Sequence, residues 1–297
     1  MRCQDKRIVA RDGFELAATV FDPDPRRYSG RVVIIASAMG VKRGFYRHYA
    51  FRLAEEGLPV VTFDYRGIGG SMPASLRAPD ASLRDWGDKD LAAAIDWARE
   101  VFPEASVLLV AHSVGGQIFG LAGNRDIVRG VVAVASQSGY WRHWSGASRL
   151  GMWLLWHLVI PVLARGRRSF PARALRLGED VPSGVAREWA FWGRHPQYLM
   201  GRLSEEARRG YEQYSGSVRA YSFTDDTFAP EGSVKAFLRL YPGARREHRR
   251  IDPGDLDLKS IGHFGFFRQE VGDVLWHETL AWLTSQKPER VAVTPGN

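Results

Sequence analysis

The chain alternates short, wholly apolar runs with stretches in which apolar residues recur every three or four positions. Segments 7–10 and 16–21 predict a hairpin turning at Asp12-Gly13. Segment 32–36 is apolar throughout, as expected of a strand buried on both faces. A helix is predicted from about Phe45, with Phe45, Tyr49 and Leu53 on one face and a stop at Gly57. Strands over 59–63 and 106–111 flank a helix over 91–102 that turns Leu91, Ile95, Ala98 and Phe102 inward. Another helix follows directly after Ser113, and 130–135 reads as the next strand. This alternation predicts a mostly parallel sheet with helices on both faces.

The rhythm breaks over 140–216, which holds six of the ten tryptophans and reads as helical. It resumes with a strand over 218–223, a helix over about 232–240, a strand-like run over 247–251 and a last helix over 269–283. The expected organisation is therefore a core first half over 1–139, a helical tryptophan-rich cap over 140–216, a core second half over 217–284 and a flexible tail over 285–297.

Composition narrows this picture only a little. The 297 residues are 45% apolar and 25% charged, enough for a large core beneath a solvated surface. The net charge of +8 raises nucleic acid as a partner, but the arginines are scattered and many stand beside acids, so none is expected. The clusters Arg165-Gly-Arg167-Arg168 and 245–250 read first as solvated faces, with a membrane surface or an anionic substrate as the weaker reading. The lone Cys3, placed in an N-terminal fray, gives no disulfide framework. No metal-binding motif and no cofactor motif is expected; 67–72 breaks a dinucleotide-binding pattern at its last glycine. The N-terminus lacks an apolar signal-peptide core. The longest apolar stretch, 150–164, contains His157 and Pro161 and falls short of the about 20 residues that span a bilayer. A cytoplasmic protein is the expectation.

The chemistry is sought part by part, because a serine hydroxyl attacks well only with a base, an acid to orient that base, and amide donors for the oxyanion. In Ala111-His112-Ser113-Val114-Gly115 the serine follows a strand and opens a helix, so small neighbours must admit a sharp turn. Ser113 is the candidate nucleophile; a serine that merely caps the helix is the bland alternative. The acid belongs on a loop after a later strand, where Asp225 and Asp226 compete. Pro230, four residues beyond, favours Asp226. Of eight histidines, His263 alone stands on a loop after the final strand. His112 abuts the serine but should point away from it. The oxyanion donors are the Val114 amide and one from loop 36–41, Met39, with Ala38 as the alternative.

Together, 64–71 (Asp-Tyr-Arg-Gly-Ile-Gly-Gly-Ser), the Ser113 elbow, Asp226 with Pro230, and 262–267 (Gly-His-Phe-Gly-Phe-Phe) resemble the α/β-hydrolase superfamily over about 7–283, the cap excepted. More narrowly they are similar to a bacterial group of α/β-hydrolases mostly without an assigned substrate. The resemblance implies an eight-stranded, mainly parallel sheet with an inserted helical cap and the triad at the carboxyl-end rim. Ala111 in place of glycine, and Ser37-Ala38 where many members carry His-Gly, depart from the pattern without removing a chemical group. Asp64 and Arg66 read as parts of a glycine-rich turn rather than of the site. The expected activity is hydrolysis of a carboxylic ester or thioester through an acyl-enzyme on Ser113, with a small-molecule substrate that is an apolar acyl or aromatic compound. Acyl transfer, amide or carbon–carbon bond cleavage, and a non-catalytic receptor or scaffold are the alternatives. The cap tryptophans suit an apolar roof over the site and equally the packing of cap on core.

Overall fold

The structure, a computed structural model, describes residues 2–73, 80–175 and 177–286. Its strands are β1 (Arg2–Val9), β2 (Glu15–Asp22), β3 (Arg31–Ala36), β4 (Val60–Phe63), β5 (Ser106–His112), β6 (Val128–Val134), β7 (Ser217–Phe223) and β8 (Arg245–Ile251). Among the described residues these form one eight-stranded sheet in the order β1-β2-β4-β3-β5-β6-β7-β8. β2 pairs antiparallel with β1 and with β4; every other pairing is parallel. This is the α/β-hydrolase sheet. β3 and β5 are buried almost end to end, which explains their unbroken apolar runs. Cys3 is not frayed: it pairs with Phe21 inside β1, and its side chain is exposed. An edge strand is held by its backbone ladder, so its side chains carry no apolar pattern to announce it.

The helices are α1 (Arg47–Glu55), α2 (Ala92–Val101), α3 (Val114–Ile118), α4 (Gly146–Leu163), α5 (Ser183–Gly193), α6 (Glu205–Glu212), α7 (Glu231–Leu238) and α8 (Gln269–Ser285). α1 and α8 share one face of the sheet, tied by a 2.9 Å bond from the Tyr49 hydroxyl to Thr279. The helical segment begins earlier than the predicted 91: a turn at Leu83–Asp85 and a π turn at Trp86–Leu91 lead directly into α2. The π turn buries Asp90, whose carboxylate takes the Arg66 amide at 2.8 Å and Nε at 2.7 Å. α3 is shorter than expected and tightens into a 3-10 turn at Phe119–Leu121, where a side chain on Gly120 would collide with the Tyr211 ring.

Between β6 and β7 the chain is mainly helical. α4 carries a π turn at Leu155–Val159, and α5 and α6 follow it. A two-stranded ladder, Ser169–Phe170 against Val181–Pro182, was not expected there; two residues per strand leave no periodicity to read. α8 runs to Ser285, past the predicted end at 283. From residue 287 the predicted flexible tail lies outside the described residues.

One register row positions the elbow. Ala36, Ala111, Ala133 and Ala220 are paired partners across β3, β5, β6 and β7. These small side chains let the start of α3 settle close to the sheet: a Cβ on Gly115 would stand 2.5 Å from the Ala36 carbonyl oxygen. Ala111 thus fits the row that the elbow needs.

Candidate active site

β5 ends at His112, and Ser113 turns the chain into α3 with φ 50° and ψ −112°. This conformation is strained for any residue but glycine and costs of order 1–3 kcal/mol. The surroundings impose it. The Ser113 amide bonds the Val134 carbonyl at 2.9 Å. Gly116 lies so near Ser136 that a Cβ would reach its hydroxyl at 2.4 Å. The Ser113 side chain is therefore held out at the strand's carboxyl end.

The loop after β7 carries both aspartates, and they face different partners. Asp226 is buried, and its Oδ2 meets His263 Nδ1 at 2.8 Å. Its Oδ1 accepts the amides of Phe228 at 2.8 Å and Ala229 at 3.1 Å. Asp225 instead takes the amides of Ile261 at 2.8 Å and Gly262 at 2.9 Å. One aspartate thus touches the imidazole, while its neighbour fastens the loop that carries it. Gly262, with φ 58°, makes the bend that presents His263.

His112 points away from Ser113, as expected, yet it is not idle. Its Nε2 lies 2.9 Å from the His263 carbonyl, and its Nδ1 lies 2.9 Å from the Tyr46 hydroxyl. A carbonyl only accepts, so Nε2 carries the proton and Nδ1 is the acceptor. Tyr46 therefore donates to Nδ1, and its oxygen receives the Ala38 amide at 2.8 Å. Burial, and next the nearby His263, hold His112 well below the usual imidazole range, which keeps this arrangement neutral. The relay joins the loop after β3, the end of β5 and the histidine loop. Sequence reasoning set His112 aside and never singled out Tyr46; nothing local marks two residues 66 positions apart as partners.

Loop 37–41 follows β3, with Gly40 at φ 64°. The Glu179 amide donates to the Gly40 carbonyl at 2.8 Å, and Lys42 pairs with Glu179 at 3.2 Å. The segment ahead of α5 is thereby stapled to this loop. Met39 and Ala38 both line one narrow cavity with Ser113 and His263.

The rest of that cavity is apolar and aromatic. Trp144, Met152, Leu155, Trp156, Leu177 and Trp189 form the side made by the segment between β6 and β7. Gln137 and Gly139, just after β6, and Phe228 and Phe264 from the later loops complete the lining. The tryptophans also tie this helical wall to the loops that follow β6 and β7. Trp144 Nε1 donates to the Thr227 carbonyl and Trp156 Nε1 to the Gly139 carbonyl, each at 2.9 Å. Lining and packing, set against each other in the sequence, are here done by the same side chains.

A wider cleft at the edge of the sheet holds Lys42, Arg43, Asp64 and Arg173. Its charges neutralise one another, Arg43 meeting Asp64 at 2.5 Å, and among the described residues it contains no nucleophile–base pair. Asp64 also accepts the Gly70 amide at 2.9 Å, and Arg66 is engaged by Asp12 and Asp90, so both belong to the turn and its supports. Among the described residues no group of three or more His, Cys, Asp or Glu is placed to hold a metal ion.

Residues 29–170 match the family model of the S33 serine aminopeptidases. No curated protein matches the sequence. Solved structures match almost end to end at low identity. A soluble variant of the monoglyceride lipase of Saccharomyces cerevisiae aligns with TM-score 0.68 and 14% identity over 97% of this chain and 95% of its own. The esterase Est1E of Butyrivibrio proteoclasticus, solved with ferulic acid, gives 0.61 and 16% over 95% and 98%. An α/β serine hydrolase without a lid from Xanthomonas campestris gives 0.55 and 14% over 95% of each chain. With the strand order, the turn after β5 and these structural likenesses in agreement, the chain adopts the α/β-hydrolase fold, and its residues 29–170 are similar to the S33 serine aminopeptidase family.

Proposed function

We propose that the chain is a serine hydrolase that cleaves a carboxylic ester or thioester through an acyl-enzyme on Ser113. The observation that carries this is the 2.8 Å bond between Asp226 and His263 in the cavity that Ser113 lines from a strained turn. His263 takes the Ser113 proton as the hydroxyl attacks the acyl carbon, then returns it to the leaving group. Asp226, bonded to Nδ1, fixes the tautomer that leaves Nε2 free as base and stabilises the imidazolium that forms. The Val114 and Met39 amides receive the oxyanion. Ala38 does not suit that role, because its amide is already bonded to Tyr46. Water repeats the sequence on the acyl-enzyme, and the free acid leaves.

The lining supports an ester or thioester over a peptide. Among the described residues the cavity presents no carboxylate to receive a substrate ammonium, whereas its aromatic and aliphatic wall suits an acyl chain or an aryl group. The segment between β6 and β7 acts as the cap, and the substrate is a small molecule with an apolar acyl or aromatic group. The test is a chain-length series of p-nitrophenyl esters with wild type and His263→Ala, beside fluorophosphonate labelling of wild type and Ser113→Ala. The expected result is labelling and turnover lost in both variants. Flat turnover, insensitive to either substitution, overturns the reading.

A further inference from the structure

The helix that roofs the cavity turns an apolar face to solvent. α4 buries Trp156 and Ile160, and its C-cap Ala164 continues the row at four-residue spacing against the body of the protein. Its other side exposes Leu150 (59%), Leu158 (54%) and Val162 (59%), with Trp153 and Leu154 beside them. Such a stripe is uncommon on a surface that meets only water. An apolar groove runs along it, lined by Leu154, Val159 and Leu175. Trp144, Met152, Leu155, Leu177 and Phe228 line both this groove and the Ser113 cavity, so the two adjoin across these side chains.

Charge identifies what fits this face. Residues 141–178 contain seven arginines and no acidic residue. Arg149 stands on the first turns of α4, and Arg165, Arg167 and Arg168 follow its end, all exposed. Among the described residues these last three have no carboxylate partner. A second copy docking by the same patch would bring like charges together, which disfavours self-association. An anionic lipid surface satisfies both features at once, taking the apolar stripe into its acyl boundary and the arginines at its headgroups. α4 is long and apolar enough to cross a bilayer, but its buried side and the Trp156–Gly139 bond hold it against the body, in plane rather than across.

We propose that α4 docks the protein on anionic lipid, and that an amphiphilic acyl ester passes from that surface along the groove to Ser113. The second half rests on the ester-hydrolase reading; the docking does not. Docking is therefore measured on Ser113→Ala, by co-sedimentation with vesicles of phosphatidylglycerol and phosphatidylcholine (1:1) and of phosphatidylcholine alone. Binding is expected on the anionic vesicles. The Arg165→Gln/Arg167→Gln/Arg168→Gln variant should partition roughly 100-fold more weakly, from about fivefold per arginine. The Leu158→Glu/Val162→Glu variant should lose binding, and in the Ser113 enzyme it should lose hydrolysis of a long-chain ester embedded in those vesicles. No binding to anionic vesicles, or undiminished binding by the double variant at wild-type melting temperature, overturns the proposal. So does a dimer in light scattering that the double variant dissolves. Soluble p-nitrophenyl butyrate separates the two readings: turnover without vesicle binding overturns the docking alone, and binding without turnover overturns the ester reading alone.

Discussion

On the sheet side of the cavity Ser113, Asp226 and His263 are buried, and each is held by at least one bond to a different strand or loop. Ser113 hangs on β6 through its amide, Asp226 takes two amides of its own loop, and His263 is tied through its carbonyl to β5. On the opposite side the wall is made of interchangeable apolar side chains on helices whose backs face solvent. The first side has one geometry that works, because angles and protons are at stake. The second needs only volume and apolarity, so its sequence is free to answer to whatever touches the outside. On the proposed reading, chemistry is thus written on the rigid side and selectivity on the other.

The sharpest break of this comparison sets two adjacent aspartates against each other. Asp226→Asn leaves His263 in the wrong tautomer, and kcat for a p-nitrophenyl ester should fall about 10⁴-fold. Asp225→Asn touches only loop amides. It should cost about tenfold in kcat and about 1–3 kcal/mol in stability, from amides left with a weaker acceptor. Equal losses in kcat would mean that the two carboxylates do not divide the work as the hydrogen bonds indicate.

Next comes the elbow's floor. Gly115→Ala drives a Cβ against the Ala36 carbonyl. About 3 kcal/mol of destabilisation is expected in urea unfolding, since backbone on a central strand has nowhere to move. A change under about 0.5 kcal/mol would show that α3 can lift off the alanine row.

The roof should respond differently. Leu155→Ala removes an apolar contact from the cavity wall, and kcat/KM for long acyl chains should fall about tenfold while short esters are spared. A uniform loss across chain lengths would instead place Leu155 among the groups that support the chemistry.

Much of this division was legible in the sequence. The elbow, the acid loop and the histidine loop each sit where an apolar strand ends, and the strands on either side of the elbow announce themselves by unbroken burial. Asp226 was separable from Asp225 only through Pro230, a local cue; the bonds that distinguish them reach 36 and 37 residues away. The Tyr46–His112 relay was illegible for the same reason, since its members are polar residues satisfied across the fold. The exposed stripe of α4 was also hidden. Leu150, Leu158 and Val162 look like core residues in a sequence, and only the packing of Trp156, Ile160 and Ala164 shows which side of the helix is inward.

The relay gives the smallest and most specific effect. His112 is held well below its ordinary value by burial and by the neighbouring His263. The unfolded chain therefore binds a proton below about pH 6.5 that the folded protein refuses, and stability falls as the pH falls. His112→Gln keeps a donor for the His263 carbonyl and an acceptor for Tyr46, but does not titrate. Between pH 6.5 and 5 the wild type should lose up to about 1.4 kcal/mol per pH unit more than this variant in urea unfolding. Other depressed histidines, His143 and His248 among them, add the same slope to both proteins and cancel in the difference. The acidic limb of the pH–rate profile should stay in place, because the relay is neutral on both sides of it. A limb that moved with His112→Gln would make this residue part of the proton transfer itself, and the sheet side would then hold two histidines in the chemistry rather than one histidine and its support.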